Sequence, residues 1–344
     1  MRPKFIGITG TNGKTTTTYL VKSILQTAGY RCAVIGTLSG RLTTPSPWHL
    51  KRLILRYARH GYDWVAMEVS SHGIHQNRIK GIPFSVKALT NITQDHLDYH
   101  KTMEDYRKVK LDWFFAGDCL RVSFFEDLPS KCGVTAPLIV PKSFYEQNRQ
   151  LAAEICRKIG ISEEIIQTGL ANAPQVPGRF EFIHGGQPFK VIIDYAHTPD
   201  GLEKILREAH LLIADKTPKP RLIVLFGCGG DRDKTKRPIM GEIAARLAEV
   251  VMVTTDNPRS EDPQIIIEEI LQGISNNIEL VSRSALFSEV DRAVAIEKVL
   301  SLAQPEDVVV LAGKGHETYQ IFKNETIHFS DKEEVCKHNS CHVK

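Results

Sequence analysis

The 344-residue chain has no C-x-x-C pair, although it holds seven cysteines. Cys32, Cys119, Cys132, Cys156, Cys228, Cys336 and Cys341 are scattered and odd in number, which suits reduced thiols and excludes a disulfide scaffold. The Cys336/His338/Cys341/His342 tail lacks a standard zinc spacing, so a disordered polar terminus is expected there. No apolar run approaches the roughly 20 residues that span a bilayer, and no secretory pattern precedes a first strand that begins by Lys4. Long Lys/Arg runs are also absent, and the net charge is only +4, so no nucleic-acid partner is expected. There is no internal repeat and no low-complexity segment. These absences leave a cytoplasmic monomer without membrane contacts as the expectation. What is present is ordinary for a globular protein, at 42% hydrophobic and 24% charged. The length favours about two domains.

Apolar runs and helical patterns alternate. Strands are expected at 5–8, 31–36, 64–69 and 86–89, with helices at 15–28, 49–60, 104–115, 144–160 and 162–172. Residues 117–142 carry several Pro and Gly and only short apolar runs, and they stay unassigned. Ala173-Pro-Gln-Val-Pro-Gly178 breaks the periodicity as a linker does. Beyond it, strands are expected at 190–193, 222–226, 250–254, 279–281 and 307–311, with helices near 200–213, 238–248, 263–273 and 290–303. The fold class is therefore α/β. A P-loop domain with a mostly parallel sheet is expected over 1–174, and a Rossmann-like α/β domain over 175–344.

The chemistry concentrates in a few stretches. Residues 7–18 read GITGTNGKTTTT directly after the first strand. Gly10 and Gly13 let the backbone turn and bring N–H groups close to phosphate oxygens; Lys14 adds a full positive charge, and the Thr15 hydroxyl can ligate Mg²⁺. The spacing, G-x-x-G-K-T from Gly10, differs from the common pattern. Glu68 closes a strand, where a carboxylate can hold Mg²⁺ against phosphates. Residues 90–100, TNITQDHLDYH, pack two histidines and two aspartates directly after another strand.

In order along the chain run GTNGKTTTT, EVSSHG, TNITQDHLDYH with a lysine fourteen residues after its first histidine, PGRFE, DYAHTPDGLEKIL, GCGGDRDKTKRP, DNPRSEDP and GKGHETYQ. With these motifs the chain resembles the Mur ligase family over residues 5 to about 322, most closely the branch that adds meso-diaminopimelate to a peptidoglycan precursor. The resemblance implies ATP-dependent formation of an acyl phosphate on a substrate carboxylate, captured by the amine of an amino acid. It implies ATP contacts at Gly10, Thr11, Asn12, Gly13, Lys14, Thr15, Thr16, Asn148, Arg179, Asp194 and His197. It implies two Mg²⁺ sites, one held by Thr15 and Glu68 and the other by His96 with Lys110 as a carbamate. Tyr106 sets the register that selects Lys110 over Lys108.

For the muramyl-peptide acceptor the matching positions are Thr43, Thr44, Ser71, Gln76 and Arg78. For diaminopimelate they are Arg232, Asp256, Asn257, Arg259, Gly313 and Glu317. An Arg259 guanidinium can fork onto a distal carboxylate that L-lysine lacks. The resemblance also implies a C-terminal domain that closes over ATP. Two departures stand out. The family carries an N-terminal domain that grips uridine, and no residue here can be assigned to that role. The stretch 115–144 is shorter than its family equivalent. Both leave open a UDP-free acceptor, folylpolyglutamate-type chemistry, or nucleotide binding without ligation.

Overall fold

The computed structural model describes residues 2–40, 42–125, 128, 143–275 and 284–342. The chain divides into two compact units, Met1–Val176 and Pro177–Lys344. The division lies inside the proline-flanked linker.

The first unit is built on a sheet ordered β2-β3-β1-β4-β5, all pairs parallel. Its strands are β1 (Lys4–Thr9), β2 (Cys32–Ile35), β3 (Trp64–Glu68), β4 (Phe84–Leu89) and β5 (Leu120–Ser123). The helices are α1 (Lys14–Thr27), α2 (Pro47–Arg59), α3 (Ser71–His75), α4 (Leu97–His100), α5 (Met103–Phe115), α6 (Phe144–Lys158) and α7 (Glu163–Ala171). The central strands read as apolar runs because both faces are covered. Leu20 and Ile24 of α1, with Leu151, Ile155 and Ile166, close one face over Ile6, Ile8 and Ala66. Leu50 and Tyr57 of α2 close the other over Ile35, Val65 and Met67. From β1 the chain crosses to β2 on one side; from β4 it crosses to β5 on the other. The carboxyl ends of the neighbours β1 and β4 therefore open on a topological switch point, where ligands bind in open α/β sheets.

The second unit carries a sheet ordered β10-β9-β8-β11-β7-β6, with only β6 antiparallel. These strands are β6 (Glu181–Ile183), β7 (Lys190–Asp194), β8 (Leu222–Phe226), β9 (Val250–Thr254), β10 (Ala285–Glu289) and β11 (Val308–Ala312). Helices α8 (Pro199–Leu211), α9 (Lys236–Leu247) and α10 (Pro263–Ser275) cover one face. Helices α11 (Arg292–Leu302) and α12 (Asp331–His342) cover the other. In sequence, a hairpin of β12 (Tyr319–Ile321) and β13 (Thr326–His328) separates β11 from α12.

Several expectations change. The strand expected at 279–281 lies outside the described residues, and β10 pairs with β9 a little further on. Part of the unassigned stretch forms β5; residues 129–142 lie outside the described set. Helix α9 starts at Lys236 rather than 238, because Pro238 fits the first turn of a helix, whose N–H groups lack partners anyway. The expected disordered tail is instead the helix α12. Its first residue, Asp331, makes a fully buried bidentate pair with Arg292 at 2.7 and 2.8 Å. Among the described residues no cluster of His, Cys, Asp and Glu is arranged to hold a metal.

A second ion network ties α9 to α10. Buried Arg237 donates to Glu261 at 3.0 Å and to Glu269 at 2.5 Å. Its guanidinium pulls the Glu261 carboxyl from an ordinary 4.5 down to about 2. A depressed carboxylate pKa stabilises the fold above the unfolded-state value and loses that contribution as pH falls through the folded one. The stability difference between wild type and Glu261→Gln should therefore be fully expressed at neutral pH and shrink between pH 4.5 and about 2. Urea unfolding at a series of pH values reads it, and a pH-independent difference would contradict the pairing.

Candidate active site

The loop after β1 turns on two glycines in conformations that side chains resist. Gly10 has φ 144° and Gly13 φ 82°. A Cβ on Gly10 would lie 1.8 Å from the Thr90 hydroxyl oxygen, and one on Gly13 would lie 2.2 Å from the Asn148 amide oxygen. The crowding arises because the loop after β4 is stitched to the loop after β1. Thr11 N–H donates to the Asn91 carbonyl at 2.9 Å, Asn12 N–H to the Asn91 side chain at 3.0 Å, and the Thr90 hydroxyl to the Asn12 carbonyl at 2.6 Å. Thr16 is buried beside them in the first turn of α1. Asn148 of α6 accepts from the Thr17 hydroxyl at 3.3 Å, which places it behind Gly13 as a brace of the loop.

Lys14 folds back, donating to the carbonyls of Gly10 at 2.8 Å and Thr11 at 2.6 Å. Lys110 reaches the same Gly10 carbonyl at 2.8 Å from α5 and is only 1% exposed. Burial, and then the charge of Lys14, hold the Lys110 amine well below its ordinary range, partly offset by Asp95. Lys108 lies on the solvent side of α5, paired with Asp112 at 2.7 Å. Lys110 is thus the lysine that faces the loop. Tyr106 supports it twice: its ring lies 4.8 Å from the Lys110 ammonium, and its hydroxyl bonds the Thr11 hydroxyl at 2.9 Å.

Glu68 ends β3 fully buried. Its carboxylate accepts from the Thr15 hydroxyl at 3.0 Å, the Thr37 N–H at 2.9 Å and the Thr37 hydroxyl at 3.1 Å. A Cβ at Gly36 would be 2.2 Å from it, so Gly36 is the residue that lets the carboxylate in. From Thr37 the polar chain runs on to Thr43 at 3.1 Å. Thr44 donates to the Glu68 carbonyl at 3.1 Å and accepts from Ser70 N–H and hydroxyl at 2.9 and 3.0 Å. Arg78 donates to the Thr44 carbonyl and to Gln76, and Gln76 donates to the Tyr99 hydroxyl. Ser71 is the next residue, but its buried hydroxyl has no partner among the described residues; Ser70 is the serine in the network.

His96 sits in a left-handed turn at φ 56° with its side chain 40% exposed, donating its N–H to the Asp95 carboxylate at 2.8 Å. Its ring lies 4.8 Å from His72, which packs 4.1 Å from Tyr99. Burial, then neighbouring histidine rings, push His72 and His100 down to about 4, so both are neutral at pH 7.

In the second unit the chemistry again lies at strand carboxyl ends. Asp194 closes β7, accepts Phe180 N–H at 2.7 Å, and has its carboxyl pushed up by burial against the pull of Arg179. Arg179 stacks 4.5 Å over Tyr195, and His197 contacts the Tyr195 carbonyl through Nδ1 at 2.8 Å. Gly313 N–H donates to the Asp194 carbonyl at 3.0 Å, tying the two loops together. Asn257 donates to Glu317 at 2.9 Å. Lys314, fully buried, donates to Glu317 and Asn257 at 3.3 Å and lies 3.6 Å from Asp256. Arg259, at φ 53°, donates to the Gly230 carbonyl at 2.7 Å, and both its guanidinium and the Arg232 side chain flank Gly229.

Residues 8–117 match the Mur ligase middle domain and residues 178–315 the Mur ligase glutamate ligase domain. The chain is 39% identical over 383 aligned positions to UDP-N-acetylmuramoyl-L-alanyl-D-glutamate--2,6-diaminopimelate ligase 1 of Clostridium acetobutylicum, covering 96% of this chain and 77% of that protein. The ligase of the same type from Thermosynechococcus vestitus is also 39% identical, with 96% and 75% covered. The chain belongs to the Mur ligase family. A solved diaminopimelate ligase of that type superposes with a TM-score of 0.60 at 29% identity, over all of this chain and 80% of the other. E. coli FolC in complex with DHPP and ADP gives a TM-score of 0.71 at 19% identity, over all of this chain and 90% of the other, which speaks to the fold alone.

As a Mur ligase the chain is an ATP-dependent amide-forming enzyme, and family membership implies Mg²⁺ use. The Clostridium acetobutylicum alignment runs to 383 positions against 344 residues here, so that relative carries residues within the aligned span that this Mur ligase lacks. Two residues of the candidate site carry no signal that sequence reasoning used. Thr37 has no motif around it, and Lys314 lies unassigned between Gly313 and Glu317. Gly10→Ala should weaken ATP binding at least tenfold, since a strained φ costs about 1–3 kcal/mol before any clash with Thr90. Calorimetric ATP titration tests this, and an unchanged Kd would show that the loop does not need glycine there.

Proposed function

We propose that this Mur ligase joins meso-diaminopimelate to the carboxylate of a muramyl-dipeptide-type acceptor, by way of an acyl phosphate made from ATP. The observation that carries the substrate choice is the division of charge at the ends of β8, β9 and β11. Arg232 and Arg259 flank Gly229, whereas Asp256 and Glu317 surround the buried Lys314. The Arg259 guanidinium suits a carboxylate, and two carboxylates with one lysine between them suit a further ammonium. Diaminopimelate carries both groups at its distal end, and L-lysine carries only the ammonium.

The first unit supports the phosphoryl step. Lys14 can leave the Gly10 and Thr11 carbonyls for the β- and γ-phosphates, where its charge is better satisfied. The acceptor carboxylate attacks the γ-phosphorus: an O–P bond forms and the bond to ADP breaks. The amine of the amino acid then attacks the acyl carbon, forming the amide, expelling phosphate and losing a proton. Positioning and charge neutralisation carry such a reaction. Thr15 and Glu68 would hold one Mg²⁺; they fit, because a buried carboxylate and a hydroxyl 3.0 Å apart are hard oxygen donors. His96 and Lys110 would hold the second. Bound Mg²⁺ neutralises charge on the phosphates.

Lys110 fits a carbamate because burial and Lys14 favour its neutral amine. A neutral amine adds to CO₂, forming an N–C bond and releasing one proton, and the resulting anion is stabilised by Lys14. Thr43, Thr44, Gln76 and Arg78, with Ser70 alongside Ser71, would orient the acceptor.

ADP release should require both a muramyl-peptide carboxylate and diaminopimelate. Turnover with glutamate but not diaminopimelate would move the assignment to folylpolyglutamate-type chemistry, and ADP release without any amino acid would remove the ligase reading. Arg259→Ala should raise KM for diaminopimelate at least tenfold with ATP binding unchanged; an unchanged KM removes that contact. Lys110→Ala should lower kcat at least a hundredfold and recover in part with added formate or acetate, and full activity without rescue would rule out the carbamate.

A further inference from the structure

Helix α2 has two unlike faces. Leu50 and Tyr57 are buried against the sheet. The opposite face leaves Trp48 79% and Leu55 47% exposed, and Leu42, a few residues before the helix, is also 47% exposed. Lys51, Arg52, Arg56 and Arg59 are exposed with them. At 100° per residue, Trp48, Arg52, Leu55 and Arg59 form one stripe, with Lys51 and Arg56 at its borders. The helix, PWHLKRLILRYAR, contains no acidic residue. The Lys51 ammonium lies 6.0 Å from the Trp48 ring, so cation and aromatic present together. In a chain with a net charge of +4, these four cations gather on one face.

We propose that this face of α2 docks reversibly on an anionic lipid surface. The bilayer boundary offers what the face needs at once: headgroup phosphates for the four Lys/Arg and a shallow apolar layer for Trp48 and Leu55. A nucleic-acid backbone would meet the cations and leave Leu55 against water. None of the described helices is long and apolar enough to cross a membrane; peripheral docking does not require one. Each basic residue near such a surface contributes about fivefold to affinity, so the contact is salt-sensitive and modest without a lipid anchor.

The test uses the full chain with vesicles of phosphatidylcholine alone and of phosphatidylcholine mixed with phosphatidylserine. Co-sedimentation with the anionic vesicles only, weakening as salt rises, is the expected result. An Arg52→Glu/Arg56→Glu variant should lose at least tenfold in vesicle affinity while ligase activity in free solution stays unchanged. Should that variant fail to fold, Trp48→Ala replaces it and should abolish the blue shift of tryptophan fluorescence on vesicle addition. Equal binding to both vesicles, no binding to either at low salt, unaltered binding by the folded variants, or tighter binding to RNA than to anionic vesicles would each overturn the proposal.

Discussion

Two lysines from distant parts of the chain, Lys14 and Lys110, donate to one oxygen, the carbonyl of Gly10. Burial, and after it the like charge of Lys14, disfavour the protonated form, so Lys110 loses basicity. The arrangement is possible because Gly10 turns its backbone through an angle that other residues resist. The surrounding residues support that turn. The loop after β4 braces it through Thr90 and Asn91, Tyr106 packs against Lys110, and Glu68 lies at the end of the neighbouring strand with its carboxylate already oriented by Thr15 and Thr37.

The second unit repeats the principle with different chemistry. Its buried charges form a layered set beneath the ends of β9 and β11. Asp331 pairs with Arg292, and Arg292 donates to the carbonyls of Thr255 and Ala312, directly before Asp256 and Gly313. The C-terminal helix thus fixes the backbone that presents the proposed amino-acid contacts. Breaking a buried pair of this kind leaves one charge uncompensated, at a cost of about 3–5 kcal/mol. Together with buried Val335, that pair holds a largely polar helix against the sheet.

Much of the candidate site was legible because its residues sit in contiguous motifs at strand ends. Gly10, Gly13, Lys14, Thr15 and Glu68 each have a local reason to be what they are. Lys110 was legible only through the family register, since Lys108 has the same chemistry two residues away and only burial separates them. The motif points to Ser71, whereas the hydrogen bonds to Thr44 come from Ser70. Lys314 carried no role in the sequence, because a lysine in a glycine-rich loop looks solvated until the carboxylates around it are known. The tail reads as disordered because its residues are mostly polar and lack periodicity; its helix is anchored by Asp331, whose partner lies 39 residues earlier.

The sequence alone determined the alternation of strands and helices, the glycine loop and the family, because these depend on local periodicity and on spacing within a motif. Tertiary structure decided which side chains share a site. Lys110 meeting Gly10, Thr37 meeting Glu68, and Arg292 meeting Asp331 are contacts between residues far apart in the chain. No local pattern records such pairs, since the sheet order that brings them together is set by packing both faces of the strands.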